Sequence, residues 1–193
     1  MFFVIYFKDR SMYTKLATIS KRVQLILKII FILLLFFISY SWLFPQSSFS
    51  HAVLGPSLGG YATESQIDQF QLNNQLIGFT GSFLGLLPLF IGLRWLIKLF
   101  TNYARGEIFT VINVKSYSRL GYLCLLSALL FQPLSQMILA IAVSINYPKG
   151  HRFIAFSFDN TNLTAIIVGI CLIVIAYVMQ IGHELQEEQK LTV

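Results

Sequence analysis

The chain has 193 residues, of which 56% are hydrophobic and only 11% charged, and its mean hydropathy is +0.71. Soluble domains carry about 25% charged residues, so this composition excludes a soluble enzyme, a disordered chain and a disulfide scaffold, and leaves an integral membrane protein. The formal charge of +6 would suggest nucleic acid in a soluble protein. Here the basic residues stand at the ends of apolar runs, where they orient the chain and touch anionic lipid, so no direct nucleic-acid binding is expected.

In chain order, residues 1–22 read as a basic N-terminal arm in which Lys8, Arg10, Lys15, Lys21 and Arg22 outnumber Asp9. Met12 is an alternative start, because the basic-then-apolar pattern begins after it. The first span is predicted over residues 23–44 and is read as a retained anchor rather than a cleaved signal peptide. Lys28, close to its basic end, is expected to snorkel outward. Residues 45–75 are a loop rich in Ser, Gly, Gln and Asn. The second span covers residues 76–97, a connector with Lys98, Arg105, Lys115 and Arg119 fills 98–119, and the third span covers 120–145.

A short loop, 146–162, opens on the turn signal Tyr147-Pro148-Lys149-Gly150 and continues through Arg152–Phe158, which has strand-like composition. The fourth span covers residues 163–181, and 182–193 form an acidic tail with Glu184, Glu187 and Glu188. The apolar runs are continuous, not alternating, and each has the roughly 20 residues a helix needs to cross the hydrocarbon core. The expected fold is therefore an all-α, four-transmembrane-helix bundle. Lys and Arg crowd the arm and the 98–119 connector and are absent from 45–75, which places both termini and the connector in the cytoplasm.

No catalytic motif is present, so the chain is read as non-enzymatic with no cofactor. His51 and His151 share the outer side with Glu64, Asp68 and Asp159, but two histidines without helical spacing do not make a metal site. Cys124 and Cys171 lie inside apolar runs and are read as unpaired packing residues.

Three features carry the functional reading. Gly78, Gly85 and Gly92 recur every seven residues, Gly81 and Gly85 form a G-x-x-x-G, and Gly169 follows Ala165 at the same spacing. Such faces allow close helix approach, within one bundle or in a homo-oligomer. Pro88 and Pro133 each remove a backbone donor near mid-span, and Gln132 and Gln136 flank Pro133 as a polar intramembrane pair. In the connector, Arg105-Gly106 suits a helix stop and Thr110 an N-cap, while Ile108 and Phe109 read as interface anchors. Lys115 and Arg119 share one helical face and can meet lipid phosphates or an acidic partner. A weak clasp is expected between the connector's basic residues and the acids of the tail.

The run Arg105-Gly106-Glu107-Ile108-Phe109-Thr110, followed by a short basic helix with Asn113-Val114, resembles the signature of the domain-of-unknown-function 2975 family of bacterial four-helix membrane proteins. The ending Glu184–Val193 is similar to the family's acidic run before a Leu-Thr-Val close, and the resemblance covers residues 20–193. Family members commonly have Pro and Glu after the threonine, where this chain has Val111 and Ile112. Members often accompany a small helix-turn-helix regulator, so the resemblance implies a regulatory or sensing role and a small cytoplasmic regulator protein as partner. The expected function is docking of that partner, with membrane lipids around it, through the 98–119 connector and the tail at the bacterial inner membrane. Arg105, Glu107, Lys115 and Arg119 are the docking candidates. The alternatives are a small transport or channel subunit using Gln132 and Gln136, or a structural subunit of a membrane complex.

Overall fold

The computed structural model describes residues 2–148, 150–155 and 160–191, and these are helical with no strand among them. Seven α-helices follow in order: α1 Phe2–Leu43, α2 Ser48–Ser57, α3 Glu64–Ile67, α4 Leu72–Ala104, α5 Val111–Leu126, α6 Gln132–Ser144 and α7 Asn160–Leu191. A π-helical turn, Ser127–Phe131, joins α5 to α6. Four stretches are long and apolar enough to cross a membrane: Thr14–Leu43, Leu72–Ala104, Val111–Ser144 and Thr161–Gln189. Large apolar side chains stay exposed along all four, among them Ile32, Phe83, Leu129 and Val174. A soluble protein does not leave apolar surface on this scale open to water; the chain is a membrane protein.

The helices outrun the expected spans. Nothing between residues 8 and 22 is Gly or Pro, and once a helix is nucleated each added residue costs little, so the arm simply continues α1. The acidic tail likewise continues α7 to Leu191. Within 45–75, expected as loop, Ser47 caps α2 by accepting the Ser50 N–H at 3.1 Å, and Thr63 opens the single turn of α3. The strand-like stretch is not a strand over 152–155, where the backbone is irregular; Phe156–Phe158, with Lys149 and Asp159, lie outside the described residues.

The chain divides into two compact units, and each of the four long helical stretches contributes to both. The first unit comprises Met1–Phe31, Ile91–Leu123 and Ile167–Val193, and so holds both ends of the chain and the connector. The second comprises Ile32–Phe90 and Cys124–Ile166 and holds both loops. Its core gathers Ile38, Trp42, Leu54, Leu58, Ile67 and Phe70 around Leu139 and Val143. Asn74, fully buried there, donates to the Ala142 carbonyl at 2.7 Å and accepts from Asn146 at 2.9 Å and from the Gln71 N–H at 3.1 Å. A buried amide is stable only when so matched.

Candidate functional site

The connector is a locked turn. Helix α4 ends at Ala104, and Gly106 takes φ +81°, a left-handed conformation that glycine adopts without strain. The Gly106 N–H donates to the Tyr103 carbonyl at 3.0 Å and the Glu107 N–H to that of Asn102 at 3.1 Å, the paired bonds of a Schellman stop. Thr110 then caps α5, its hydroxyl accepting the Asn113 N–H at 3.3 Å.

Between stop and cap, the fully buried Asn113 closes the turn. Its amide nitrogen donates to the carbonyls of Glu107 at 2.6 Å and Ile108 at 2.8 Å, and its oxygen accepts from Asn102 at 2.7 Å. Tyr103 and Tyr117 hydroxyls meet at 2.8 Å and tie α4 to α5 again.

The end of α7 seats on this turn. Gly182 lies under the ring of Phe109: a Cβ there would stand 2.8 Å from ring carbons. His183 places Nδ1 3.0 Å from the Phe109 carbonyl, where an Nδ1–H tautomer donates. Phe109, expected as an interface anchor, spends one side of its ring on Gly182 and remains exposed on the other.

Beside that contact, Lys115, Ser118, Arg119 and Tyr122 of α5 face Gln180, His183 and Glu184 of α7 across a cavity of about 540 Å³. Lys115 and Arg119 sit one turn apart, both exposed and with no hydrogen-bond or ion-pair partner among the described residues. Glu184 does not clasp them, contrary to expectation: its Oε1 accepts from Gln180 Nε2 at 3.0 Å on its own helix. An exposed ion pair gains too little to hold two long side chains in register, whereas this neighbouring amide is already in place. Arg105 and Glu107 are exposed on the turn and do not line the cavity.

In the second unit, the glycine face of α4 meets other segments of the same chain. A Cβ on Gly78 would fall inside the Trp42 indole, one on Gly81 would stand 2.9 Å from Ile138, and one on Gly85 2.6 Å from Ser135 Oγ. In the first unit Gly92 has ordinary contact with Leu120 and Leu123 at 3.6 Å, and the carbonyl of Gly169 comes within 2.8 Å of a Cβ on Gly121. Ser135 donates to the Gly81 carbonyl at 2.8 Å. Gln132 Nε2 points at the Gly85 carbonyl and Gln136 Nε2 at that of Ser57, each at 3.5 Å. Both glutamines line a second cavity, of about 360 Å³.

His51 meets Asp68 at 2.9 Å, and no group of three His, Cys, Asp or Glu side chains that could hold a metal forms among the described residues.

The family model described as "Protein of unknown function (DUF2975)" matches residues 59–193. The chain belongs to this family. The match takes in the connector, α4 to α7 and the end of the chain, and leaves out residues 20–58, which the resemblance had included. No curated protein and no solved structure matches the chain.

Within the DUF2975 signature, much of the run serves turn geometry: Gly106 through its dihedral, Thr110 and Asn113 through their hydrogen bonds. Sequence reasoning missed Asn102, Gly182 and His183. Asn102 sits in an apolar run eleven residues before another Asn, and Gly182-His183 stands just where an apolar span turns polar, which is the one signal that could have marked it.

Proposed function

We propose that the chain is a non-enzymatic protein of the bacterial inner membrane, with four spans, both termini and the 98–119 connector in the cytoplasm. It docks a small cytoplasmic regulator protein through the connector and the end of α7. The orientation rests on the Lys/Arg asymmetry between the connector and arm on one side and the 45–75 loop on the other.

The observation that carries the reading is the fixed turn with free charges. Asn113 and the Phe109–His183 contact hold the backbone, while Arg105, Glu107, Lys115 and Arg119 keep their side chains exposed. A surface already ordered before binding loses less entropy when a partner arrives. The mixed signs suit a charged protein surface, and Lys115 with Arg119 also suits the headgroups of surrounding lipid.

The test is a crosslinking pulldown from native membranes with Arg105→Ala/Glu107→Ala. Normal abundance with loss of a co-purified cytoplasmic protein supports docking. Unchanged recovery removes the turn from the docking surface, and lost abundance assigns the pair to folding.

A second reading, a small transport or channel subunit, draws on the cavity lined by Gln132 and Gln136. The π-helical turn ahead of Pro133 favours it, while α4 runs unbroken through Pro88.

A further inference from the structure

The cavity of about 540 Å³ between α5 and α7 lies wholly among side chains of the first unit. Two contacts hold its walls. Next to Tyr122 the two helices approach closely, and a Cβ on Gly121 would stand 2.8 Å from the Gly169 carbonyl. Ahead of Val111, Phe109 lies against Gly182, and its carbonyl meets His183 at 3.0 Å. The space between falls within the usual range of small-molecule pockets. Walls fixed in advance lower the entropy lost when a ligand binds.

The charges of the lining do not cancel. Lys115 and Arg119, one turn apart, face the single carboxylate of Glu184 and form no ion pair with it, which leaves an excess of one positive charge with His183 neutral. The hydrogen-bonding groups lean the same way. An ammonium and a guanidinium only donate. Neither these nor the hydroxyls of Ser118 and Tyr122 are engaged among the described residues. Against them stand the amide oxygen of Gln180, the Glu184 oxygen that Gln180 does not occupy and, in the Nδ1–H tautomer, Nε2 of His183. Surplus donors with a surplus positive charge suit an oxyanion, and phosphate is the oxyanion that Arg and Lys commonly bind.

The depth of the cavity separates a dissolved phosphate from a lipid. The apolar run of α5 opens at Leu120, directly after Arg119, and that of α7 closes at Ile181, between Gln180 and His183. Both helices thus change from apolar to polar at the level of the cavity, which in a bilayer is the level of the headgroups. Basic pockets between spans at that depth hold lipid headgroups. On the apolar side Tyr122 and Leu126 of α5 and Val178 and Ile181 of α7 are exposed, a surface along which acyl chains can lie. A lipid with one net negative charge cancels the excess in the cavity, and a zwitterionic lipid does not.

We infer that this cavity holds the headgroup of an anionic glycerophospholipid, its phosphate between Lys115 and Arg119 and its chains along the apolar side. The site goes beyond the docking reading and does not rest on it: Arg105 and Glu107 do not line the cavity and stay exposed with a lipid in place.

The test uses the full chain in phosphatidylcholine nanodiscs doped with a phosphatidylglycerol whose acyl chain carries a diazirine close to the headgroup, or with the phosphatidylethanolamine of the same chains. The glycerol lipid is expected to label peptides of α5 and the end of α7 with about fivefold excess over the ethanolamine lipid, the order of one charge at a lipid surface. Lys115→Gln and Arg119→Gln each lower labelling by about the same factor, and the double variant removes the contrast between the two lipids. Both side chains are exposed and unpaired among the described residues, so these variants keep the wild-type melting temperature. Ser118→Trp keeps both cations but fills the cavity, and abolishes the excess. Glycerol phosphate, the headgroup without its chains, does not displace the lipid at millimolar concentration.

Equal labelling by the two lipids overturns the inference. So does undiminished labelling of Ser118→Trp, which would reduce the site to charge attraction at the membrane surface. Displacement by glycerol phosphate assigns the cavity to a dissolved phosphate and overturns the lipid assignment. An unlabelled chain whose Lys115→Gln/Arg119→Gln variant loses a cytoplasmic protein in the pulldown overturns it as well, since the cations then serve that protein. If Ser118→Trp does not fold, the contrast between the two lipids and the glutamine variants decide the matter.

Discussion

Asn102 donates its side-chain amide to the side-chain oxygen of Asn113 at 2.7 Å, and both residues are buried at the connector. One sits two residues before the end of α4 at Ala104 and the other in the first turn of α5, so this bond ties two helices of the first unit together at their shared turn. The remaining capacity of Asn113 closes the intervening turn.

Asn113→Ala removes all three side-chain bonds and strands the Glu107 and Ile108 carbonyls. We expect a loss of about 2–3 kcal/mol, since each buried group left unmatched costs roughly 1–3 kcal/mol and the carbonyls of an exposed turn regain some water. Thermal unfolding in detergent measures it, and Thr110→Ala, which removes one long cap bond of 3.3 Å, should cost about 1 kcal/mol or less.

The glycines are predicted to rank by what a methyl group would meet. Gly78→Ala and Gly121→Ala collide with the Trp42 indole and with the Gly169 backbone, and should each cost about 1–3 kcal/mol. Gly92→Ala finds only ordinary contact at 3.6 Å and should be close to neutral. Melting temperatures of the three variants, purified side by side, give the order.

Gly182→Val would push the Phe109 ring from its seat and lengthen the His183 bond to the Phe109 carbonyl. The last turns of α7 then lose their attachment to the connector. Hydrogen exchange over residues 183–191 should rise in the variant, while exchange in α4 stays at the wild-type level.

A periplasmic reporter fused within 45–75 should be active, and the same reporter at the C-terminus inactive. The motivation is the absence of Lys and Arg from that loop against four in the connector, Lys98, Arg105, Lys115 and Arg119. Activity at the C-terminus would reverse the orientation and remove the cytoplasmic docking surface with it.

The spans were legible because a run of apolar residues long enough to cross lipid has few other uses, and the helix stop at Gly106 and cap at Thr110 were legible because each depends on local backbone chemistry. The glycines of α4 announced close approach by their spacing, but not that Trp42, Ile138 and Ser135 would fill it. Helices α2 and α3 were hidden because a loop composition rich in Ser, Gly and Gln masks the few apolar residues, such as Leu54 and Ile67, that bury them. The expected clasp of Glu184 failed for the opposite reason: charge pairing read from sequence ignores the competing amide of Gln180 one turn away. Contacts between elements far apart in sequence, such as Phe109 with Gly182, leave only the change from apolar to polar at Gly182-His183 as a local trace.

We propose that the fixed turn and the end of α7 present one docking surface to a cytoplasmic protein. A photo-crosslinking residue placed at Glu107, at Arg119 and, as a lipid-facing control, at the exposed Ile167 measures this directly in living cells. Glu107 and Arg119 are expected to give adducts of the same mass with the same soluble protein, and Ile167 is not. Adducts with lipid alone at both positions, or the same protein adduct at Ile167, would contradict it.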